Sequence, residues 1–151
     1  MNMYEITIRE DVTLISMHDS PADISTVADV FQKIADAGIN VDMISQTPPN
    51  GHHSSLSFTV DGDDFGGILR VCAEMREKNP DLKISVSSGN CKINVYDAQM
   101  NEAAGYAAKV LTAAASVGSD IRMVTTSECD ISILVVQADL ESTVQAIQAA
   151  L

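Results

Sequence analysis

The sequence predicts an α+β protein in which one small unit of strands and helices occurs twice. Two observations support this. Residues 38–46 (GINVDMISQ) are matched by residues 118–126 (GSDIRMVTT), and each segment lies between a run of helical periodicity and a strand-like run. The repeat affects the assignment of every element, because a missed repeat changes the interpretation of the whole fold. The 151 residues are therefore expected to hold two very small units.

The first unit is predicted to have the order β-α-β-β-α-β, preceded by one extra strand. Alternating and β-branched residues predict the strands, and apolar residues three and four apart predict the helices. Ser20 followed by Pro21 predicts a helix start, and Gly38 predicts its end because glycine readily adopts positive φ. The predicted elements are strands 4–8 and 12–17 separated by Asp11, a helix between Ser20 and Gly38, strands 40–46 and 55–60, a helix capped by Asp63 or Asp64, and strand 82–86.

The second unit is predicted to be one strand short. Residues 87–90 (SSGN) read as a linker, and the order that follows is β-α-β-β-α. The extra N-terminal strand has no place in the first unit, and an unpaired edge of β-branched residues invites aggregation. We therefore expect residues 3–9 to complete the second unit, 87–151, with the first unit, 10–86, inserted between them. The predicted elements of the second unit are strand 92–96, a helix over about 101–117, strands 120–126 and 131–136, and helix 139–151.

These element orders predict a defined fold class: α+β, with two ferredoxin-like βαββαβ units. Each unit would place two helices on one face of an antiparallel sheet, and the first unit would be inserted into the second. Open sheet faces and edges need cover, so we expect the units to pack together and the chain to form a homodimer.

Composition excludes several classes of partner. The chain has 21 acidic against 9 basic residues, a formal net charge of −12. This charge argues against nucleic acid, whose phosphates are neutralised by Lys and Arg, and against an anionic membrane surface. Three cysteines without paired spacing, no long apolar run and no basic-then-apolar start together predict a cytoplasmic protein with reduced thiols. No metal or other cofactor is expected, since His52 and His53 are adjacent in a predicted loop and lack further partners.

The motifs resemble those of a known family. GINVDMISQ in the first unit and TTSECDISILV at 125–135 in the second resemble the paired ACT domains of aspartate kinase. The resemblance covers nearly the whole chain, and the two motifs in this order are more specific than either alone. The Lys-Phe-Gly-Gly stretch that begins the kinase part of that family is absent, as are phosphate-binding and dinucleotide-binding glycine motifs. The resemblance is therefore to the regulatory part alone, as a separate subunit, a stand-alone sensor or a fragment, and not to an enzyme.

The resemblance implies an amino acid effector bound where two ACT units meet. In this family the loop before the first helix faces the second strand of a neighbouring unit. Unpaired N–H groups at a helix N-terminus suit the ligand carboxylate, and carboxylates or carbonyls suit its ammonium group. The ligand-binding residues implied for the first unit are Asp19, Ala22, Asp23, Ile24, Asn40, Val41, Asp42 and Gln46.

Simpler structural roles compete with these assignments. Ser20 and Asp23 are also good helix caps, and Asn40 could cap the turn after Gly38. Gln46 is the strongest side-chain candidate, because a neutral amide both donates and accepts hydrogen bonds. Strict alternation along the strand predicts that Gln46 shares a sheet face with Asn40 and Asp42.

The second copy of the repeat differs from the first at these strand positions. It carries Asp120, Arg122 and Thr126, and a basic Arg122 opposes a cationic ligand. The first unit is therefore expected to hold the main site, with Ser119, Asp120 and Thr126 as contributors across an interface. The first-unit loop also departs from the family pattern D-[RK]-P-G-[VI]-A, since it reads DSPADIS without a glycine after proline.

Three functions follow from this reading. The first is a regulatory module that binds a small amino acid, lysine or threonine by family analogy, and transmits occupancy through a dimer. The second is a dimerisation scaffold, or the regulatory half of a kinase with a degenerate ligand site and a separate catalytic subunit as partner. An enzyme in its own right is the least favoured, since a fold alone licenses no activity.

Overall fold

The structure, a computed structural model, describes residues 3–21 and 23–151, with the backbone only at positions 20 and 21. No helix within these residues combines the length and the hydropathy needed to cross a bilayer. Short 3-10 turns precede α2, α3 and α4. The strands are β1 (Tyr4–Pro21), β2 (Val41–Gln46), β3 (His53–Asp61), β4 (Lys83–Asp97), β5 (Ile121–Thr126) and β6 (Asp130–Val136), and the helices are α1 (Ile24–Asp36), α2 (Phe65–Lys78), α3 (Tyr106–Ser116) and α4 (Leu140–Ala150).

The strands follow the order β2-β3-β1-β4-β6-β5. The chain divides into two compact units: Asp11–Ser88, here called the inserted unit, and the residues up to Glu10 together with Gly89–Leu151, here called the split unit. Each unit has four strand segments and two helices, because β1 and β4 contribute one segment to each. The predicted fold class, two βαββαβ units with the first inserted into the second, is confirmed.

The two longest strands do not break where the sequence predicted. Asp11 was expected to separate two strands and residues 87–90 to form a linker, yet both positions lie inside continuous strands, β1 and β4. Asp11 has φ 56° and Gly89 has φ 72°. A single residue in the left-handed region redirects the backbone without ending the strand, so polar and glycine residues were misread as breaks. The boundaries between the units coincide with these two residues.

Helix α1 also begins later than predicted. Ser20 was expected to be its N-cap, but the backbones of Ser20 and Pro21 pair with Ser54 and His53 of β3. These two residues therefore belong to the strand ladder, and Asp23 is the N-cap of α1. At the other end the prediction is correct, because Gly38 has φ 76° and its N–H bonds to the carbonyl of Ala35.

The core of the inserted unit lies between its sheet and its two helices. Leu56, Phe58 and Val60 alternate along β3 and are all buried, as their spacing predicted. Phe31 of α1 meets Phe58 edge to face, with ring centroids 5.4 Å apart, a favoured aromatic geometry. The buried residues of α2 are Ile68, Val71, Cys72 and Met75, whereas Phe65 and Leu69 of the same helix lie partly exposed.

The core of the split unit contains strand residues from β4 and β6 and helix residues from α3 and α4. Ile93, Ile133, Val110 and Ile147 are fully buried in this cluster. Ile6, from the first segment of β1, packs against the same cluster. The N-terminal segment of the chain therefore contributes both a strand and an apolar side chain to the split unit.

The positive φ of Gly89 gives a testable prediction. Gly89→Ala should lower the free energy of unfolding by about 1–2 kcal/mol, because a Cβ is unfavourable in the left-handed region even where space is available. Gly66→Ala is the matched control, since Gly66 lies in α2 with open space around its Cβ position. It should stabilise the protein by up to about 1 kcal/mol, as helix propensity requires. Urea unfolding of both variants measures the two effects, and a change of the same sign in both would contradict this interpretation.

Candidate functional site

A β-bulge in β2 determines which side chains can meet at the candidate site. Val41 pairs with Val60 and Ile44 pairs with Phe58, so Asp42 and Met43 together oppose the single residue Thr59. The backbone N–H of Met43 donates to the buried Thr59 hydroxyl, with a nitrogen–oxygen distance of 2.9 Å. An extra residue of this kind reverses the alternation of the strand beyond it.

The bulge overturns the predicted grouping of polar residues on one face. Gln46 pairs with Leu56, which faces the helices, whereas Asp42 lies opposite Thr59, whose neighbours along β3 face the helices. Residues opposite each other in an antiparallel pair share a face, so Gln46 and Asp42 lie on different faces. Asn40 precedes the strand and is exposed.

Gln46 is held at the end of the sheet where α1 begins. Its Nε2 donates to the Ser54 hydroxyl at 3.3 Å, and Ser54 is buried. Ser54 pairs with Ser20 near the end of β1, three positions before Asp23, the N-cap of α1. The amide of Gln46 therefore lies at the end of the sheet from which β1 leads to α1. Ser54 was missed by the sequence analysis, although its place on β3, two residues before Leu56, puts it on the helix-facing side.

A second bulge shapes the loop on the β1 side. Met17 pairs with Leu56 and Ser20 with Ser54, so His18 and Asp19 together oppose one residue of β3. Asp19 has φ 52° and is exposed. Strained backbone of this kind is tolerated where neighbouring pairs fix it. The bulge leaves the Asp19 carboxylate in solvent at the same end of the sheet as Gln46.

Asp23 acts as a helix cap through its side chain. Its carboxylate accepts from the hydroxyls of Ser25 and Thr26, at 2.6 and 2.8 Å, and from the backbone N–H of Thr26 at 3.2 Å. These hydrogen bonds, that from Ser25 first, hold the pKa of Asp23 below its ordinary value. The neighbouring candidate Ile24 is 77% exposed, and Ala22 lies outside the described residues.

The split unit repeats the bulge with different chemistry. Ile121 pairs with Val135 and Met123 with Leu134, so Arg122 and Met123 oppose one residue, as Asp42 and Met43 do in the inserted unit. Arg122 forms an ion pair with Asp120 at 2.9 Å. The Ser119 hydroxyl also bonds to the hydroxyl of Thr143. Two candidate residues of this copy, Ser119 and Asp120, therefore have partners in their own unit. Thr126 pairs with Ile131, as Gln46 pairs with Leu56.

The loop of the split unit is closed by a pair that the sequence analysis missed. Asp97 is the counterpart of Asp19 in the repeat. Met17, two residues before Asp19, pairs with β3, and the residue two before Asp97 pairs with β6 in the same way. Its carboxylate accepts from the backbone N–H of Gln99 at 2.9 Å and from the hydroxyl of Tyr106, the first residue of α3. Burial, followed by the charge and hydrogen bond of Asp97, raises the pKa of Tyr106.

One group of acidic side chains has the spacing of a cation site. Carboxylate oxygens of Asp11, Asp61 and Asp63 lie within 4.8 Å of one another. Asp61 already accepts from the backbone N–H of Asp63 at 3.0 Å, which caps the turn before α2. Exposed acidic groups are common without an ion, and the geometry assigns Asp61 a capping role.

The two βαββαβ units with their repeated bulge have the fold of ACT regulatory subunits, and residues 93–151 match the family model for the ACT domain. The regulatory subunit of aspartate kinase from Thermus thermophilus, in its ligand-free form, has 26% sequence identity and a TM-score of 0.87, with 96% of this chain and 95% of that one covered. A structure of aspartokinase alpha and beta subunits gives 28% identity, a TM-score of 0.85 and coverage of 96% and 95%.

Curated relatives extend the same comparison. The aspartokinase of Geobacillus stearothermophilus is 29% identical over 140 residues, which are 93% of this chain and 33% of that protein. The chain thus spans about a third of the length of the curated relatives it matches. The chain is similar to the regulatory part of aspartate kinase, and the predicted resemblance is confirmed.

The hydrogen bond in the β2 bulge gives a stability prediction. Thr59→Val keeps the shape of the side chain but leaves the N–H of Met43 without its acceptor in a buried position. The free energy of unfolding should fall by about 1–3 kcal/mol, the cost of an unsatisfied buried donor. Thr125→Val is the control, because Thr125 lies on the edge strand β5 and is only partly buried. Equal losses in urea unfolding for the two variants would show that the hydroxyl at Thr59 has no special role.

The cap of α1 gives a pH prediction. Because the pKa of Asp23 is lowered in the folded state, the charged cap stabilises the protein at neutral pH, and this stabilisation is lost as pH falls through the ordinary range of aspartate and below. The difference in melting temperature between the wild type and Asp23→Ala should therefore be largest near neutral pH and shrink on acidification. Thermal unfolding across that range measures it, with Asp29→Ala on the exposed face of α1 as control. A difference that stays constant with pH would argue against the charged cap.

Proposed function

We propose that this chain is an amino-acid-binding regulatory module whose effector binds at the end of the inserted unit where α1 begins. The observation that supports this is the Gln46 amide, which donates to Ser54 at the same end of the sheet as the exposed carboxylate of Asp19. An amide that donates and accepts, a carboxylate and a helix N-terminus together match the groups of a free amino acid. The relation to a regulatory subunit of aspartate kinase supports the same reading.

Each part of the ligand has a proposed partner. Backbone N–H groups of Asp23 and Ile24 would bind the ligand carboxylate, since the side chain of Asp23 is already used as a cap. The carboxylate of Asp19 would bind the ammonium group, and the Gln46 amide would bind a polar side chain. Lysine and threonine are the proposed effectors, and the formal net charge of −12 favours a cation such as lysine.

The site is proposed to be completed by a second copy of the chain. β2 is the edge strand of the inserted unit and leaves one side of its backbone open. A neighbouring β2 placed there would bring Asn40, Val41 and Asp42 to the ligand from the partner. A ligand bound between two copies shifts their arrangement only as far as it prefers one arrangement to the other. In this way occupancy would be transmitted through a homodimer.

A single effector site per chain is proposed, because the split unit uses the equivalent groups internally. Asp97 is bonded to Tyr106, and Arg122 is paired with Asp120. We therefore leave Ser119 and Asp120 out of the proposed site and treat Thr126 as the natural comparison for Gln46.

A second function is favoured by one comparison. A related structure contains aspartokinase alpha and beta subunits together. The proposed second role is therefore that of a regulatory half that associates with a separate catalytic kinase chain. Co-purification with a kinase chain, in the absence of any amino acid binding, would support this role without the sensor role.

Calorimetry with the twenty amino acids tests the sensor proposal. Lysine or threonine should give saturable binding, and Gln46→Ala should weaken it roughly tenfold or more, since a truncated partner leaves a polar ligand group unpaired. Thr126→Ala, at the equivalent position of the split unit, is the matched control and should leave the affinity unchanged. Absence of binding by a folded wild-type dimer for all twenty amino acids, with any kinase chain present, would overturn the proposal.

A further inference from the structure

The first segment of β1 forms an open strand edge in the split unit. Within the described residues, the pairing of β1 with β3 begins at Val12, so on that side the segment Tyr4–Glu10 has no partner strand. Glu5, Thr7, Ile8 and Arg9 are all exposed, and Ile8 retains 48% of its accessible surface. An exposed edge of this length is a template for pairing with another strand.

The sequence of this edge is complementary to itself when run antiparallel. In YEITIRE, a two-fold axis through Thr7 places Glu5 opposite Arg9 and Ile6 opposite Ile8, each pair occurring twice. Tyr4 lies opposite Glu10 at the ends. Opposite charges and β-branched residues facing each other across an antiparallel pair are both stabilising.

The two kinds of pair also fall on separate faces. Ile6 packs against the core cluster beneath the helices, so by alternation Ile8 lies on that face. Glu5, Thr7 and Arg9 lie on the opposite face. The proposed pairing therefore extends the apolar face and matches charges on the other.

Neighbouring registers lose this complementarity. Moving the axis by one position toward the C-terminus, onto Ile8, places Glu5 opposite Asp11 and Thr7 opposite Arg9. Moving it one position toward the N-terminus, onto Ile6, places Glu5 opposite Thr7 and Arg9 opposite Met3. Both neighbouring registers therefore lose the Glu5–Arg9 pairs, and the first also meets like charges, which are destabilising; the axis at Thr7 keeps both opposite-charge pairs.

We propose that two copies of this chain associate through the segment Tyr4–Glu10, antiparallel about Thr7, to form a continuous sheet of two split units. This surface goes beyond the effector-dependent pairing proposed for β2, because it belongs to the other unit and uses no ligand. Arg9 is already engaged within its own chain, and its five N–H donors allow a further carboxylate from the partner. A chain with both surfaces would assemble beyond a dimer.

Charges on an edge strand can instead protect it from pairing. Against this self-pairing the charges do not act in that way, because opposite charges meet in both pairs. A charge-reversal series separates the two roles. Glu5→Arg or Arg9→Glu places like charges opposite each other twice, whereas the double variant E5R/R9E restores both opposite pairs.

Sedimentation equilibrium over a range of protein concentrations measures the association. Each single variant should weaken it roughly tenfold or more, and E5R/R9E should recover the wild-type value. An equimolar mixture of the two single variants should associate with each other more tightly than either does alone. Arg70→Glu, which makes the same charge change as Arg9→Glu but on the exposed face of α2, should have no effect on the association.

Cross-linking tests the register independently of the charges. In a chain carrying Cys129→Ser, Thr7→Cys should form a disulfide-linked dimer under mild oxidation, since opposite Cβ atoms lie about 5 Å apart. Glu5→Cys should not, because the two copies of position 5 would lie roughly 14 Å apart along the strands.

Cross-linking at both positions, or at neither, would overturn the proposal, as would an association that the single charge reversals leave unchanged. Calorimetry on Glu5→Arg keeps this proposal separate from the effector site. Amino acid binding at Gln46 should persist there even when the edge association is lost.

Discussion

The structure depends above all on the hydrogen-bonded strands β1 and β4, because each supplies a segment to both units. The sheet of the inserted unit uses β1 from Asp11 onward and β4 as far as Ser88, and the split unit uses the remaining segments. Neither sheet has four strands without this sharing. This sharing requires positive φ at Asp11 and Gly89, an unfavourable local conformation, since each strand has to pass from one unit to the other without ending.

Strand sharing also determines where the candidate site lies. Because β1 continues as far as Pro21, its ladder with β3 reaches His53 and leaves only a short connection to α1. The helix can then start no earlier than Asp23, which has to serve as its cap. Ladder, cap and loop therefore form one coupled arrangement, and the buried Ser54 connects it to Gln46 on β2.

Much of the fold could be predicted from the sequence because it depends on patterns that repeat. The alternation of Leu56, Phe58 and Val60 and the glycine ends of the helices correspond directly to buried faces and turns. The bulge in β2 was not predictable in this way, because an extra strand residue leaves the sequence pattern unchanged while it reverses which face follows. Only the strand register, in which Asp42 and Met43 lie opposite Thr59, shows that Asp42 and Gln46 are on different faces of the sheet. Asp11 was misread for a related reason, since an aspartate of positive φ inside a strand has the same sequence signal as a turn.

The two copies of the repeat show how one backbone can support two different roles. Both edge strands carry the same bulge, so the backbone geometry available to a ligand is alike in each. The difference lies in whether the side chains around it are already bonded. The carboxylate of Asp97 accepts a hydrogen bond from Tyr106. Its counterpart Asp19 has positive φ, and its side chain is exposed to solvent. Aspartate is among the few residues besides glycine that adopt positive φ readily, and the exposed carboxylate of Asp19 is available to the cationic group of the proposed effector. This asymmetry is the reason to look for that effector in the inserted unit.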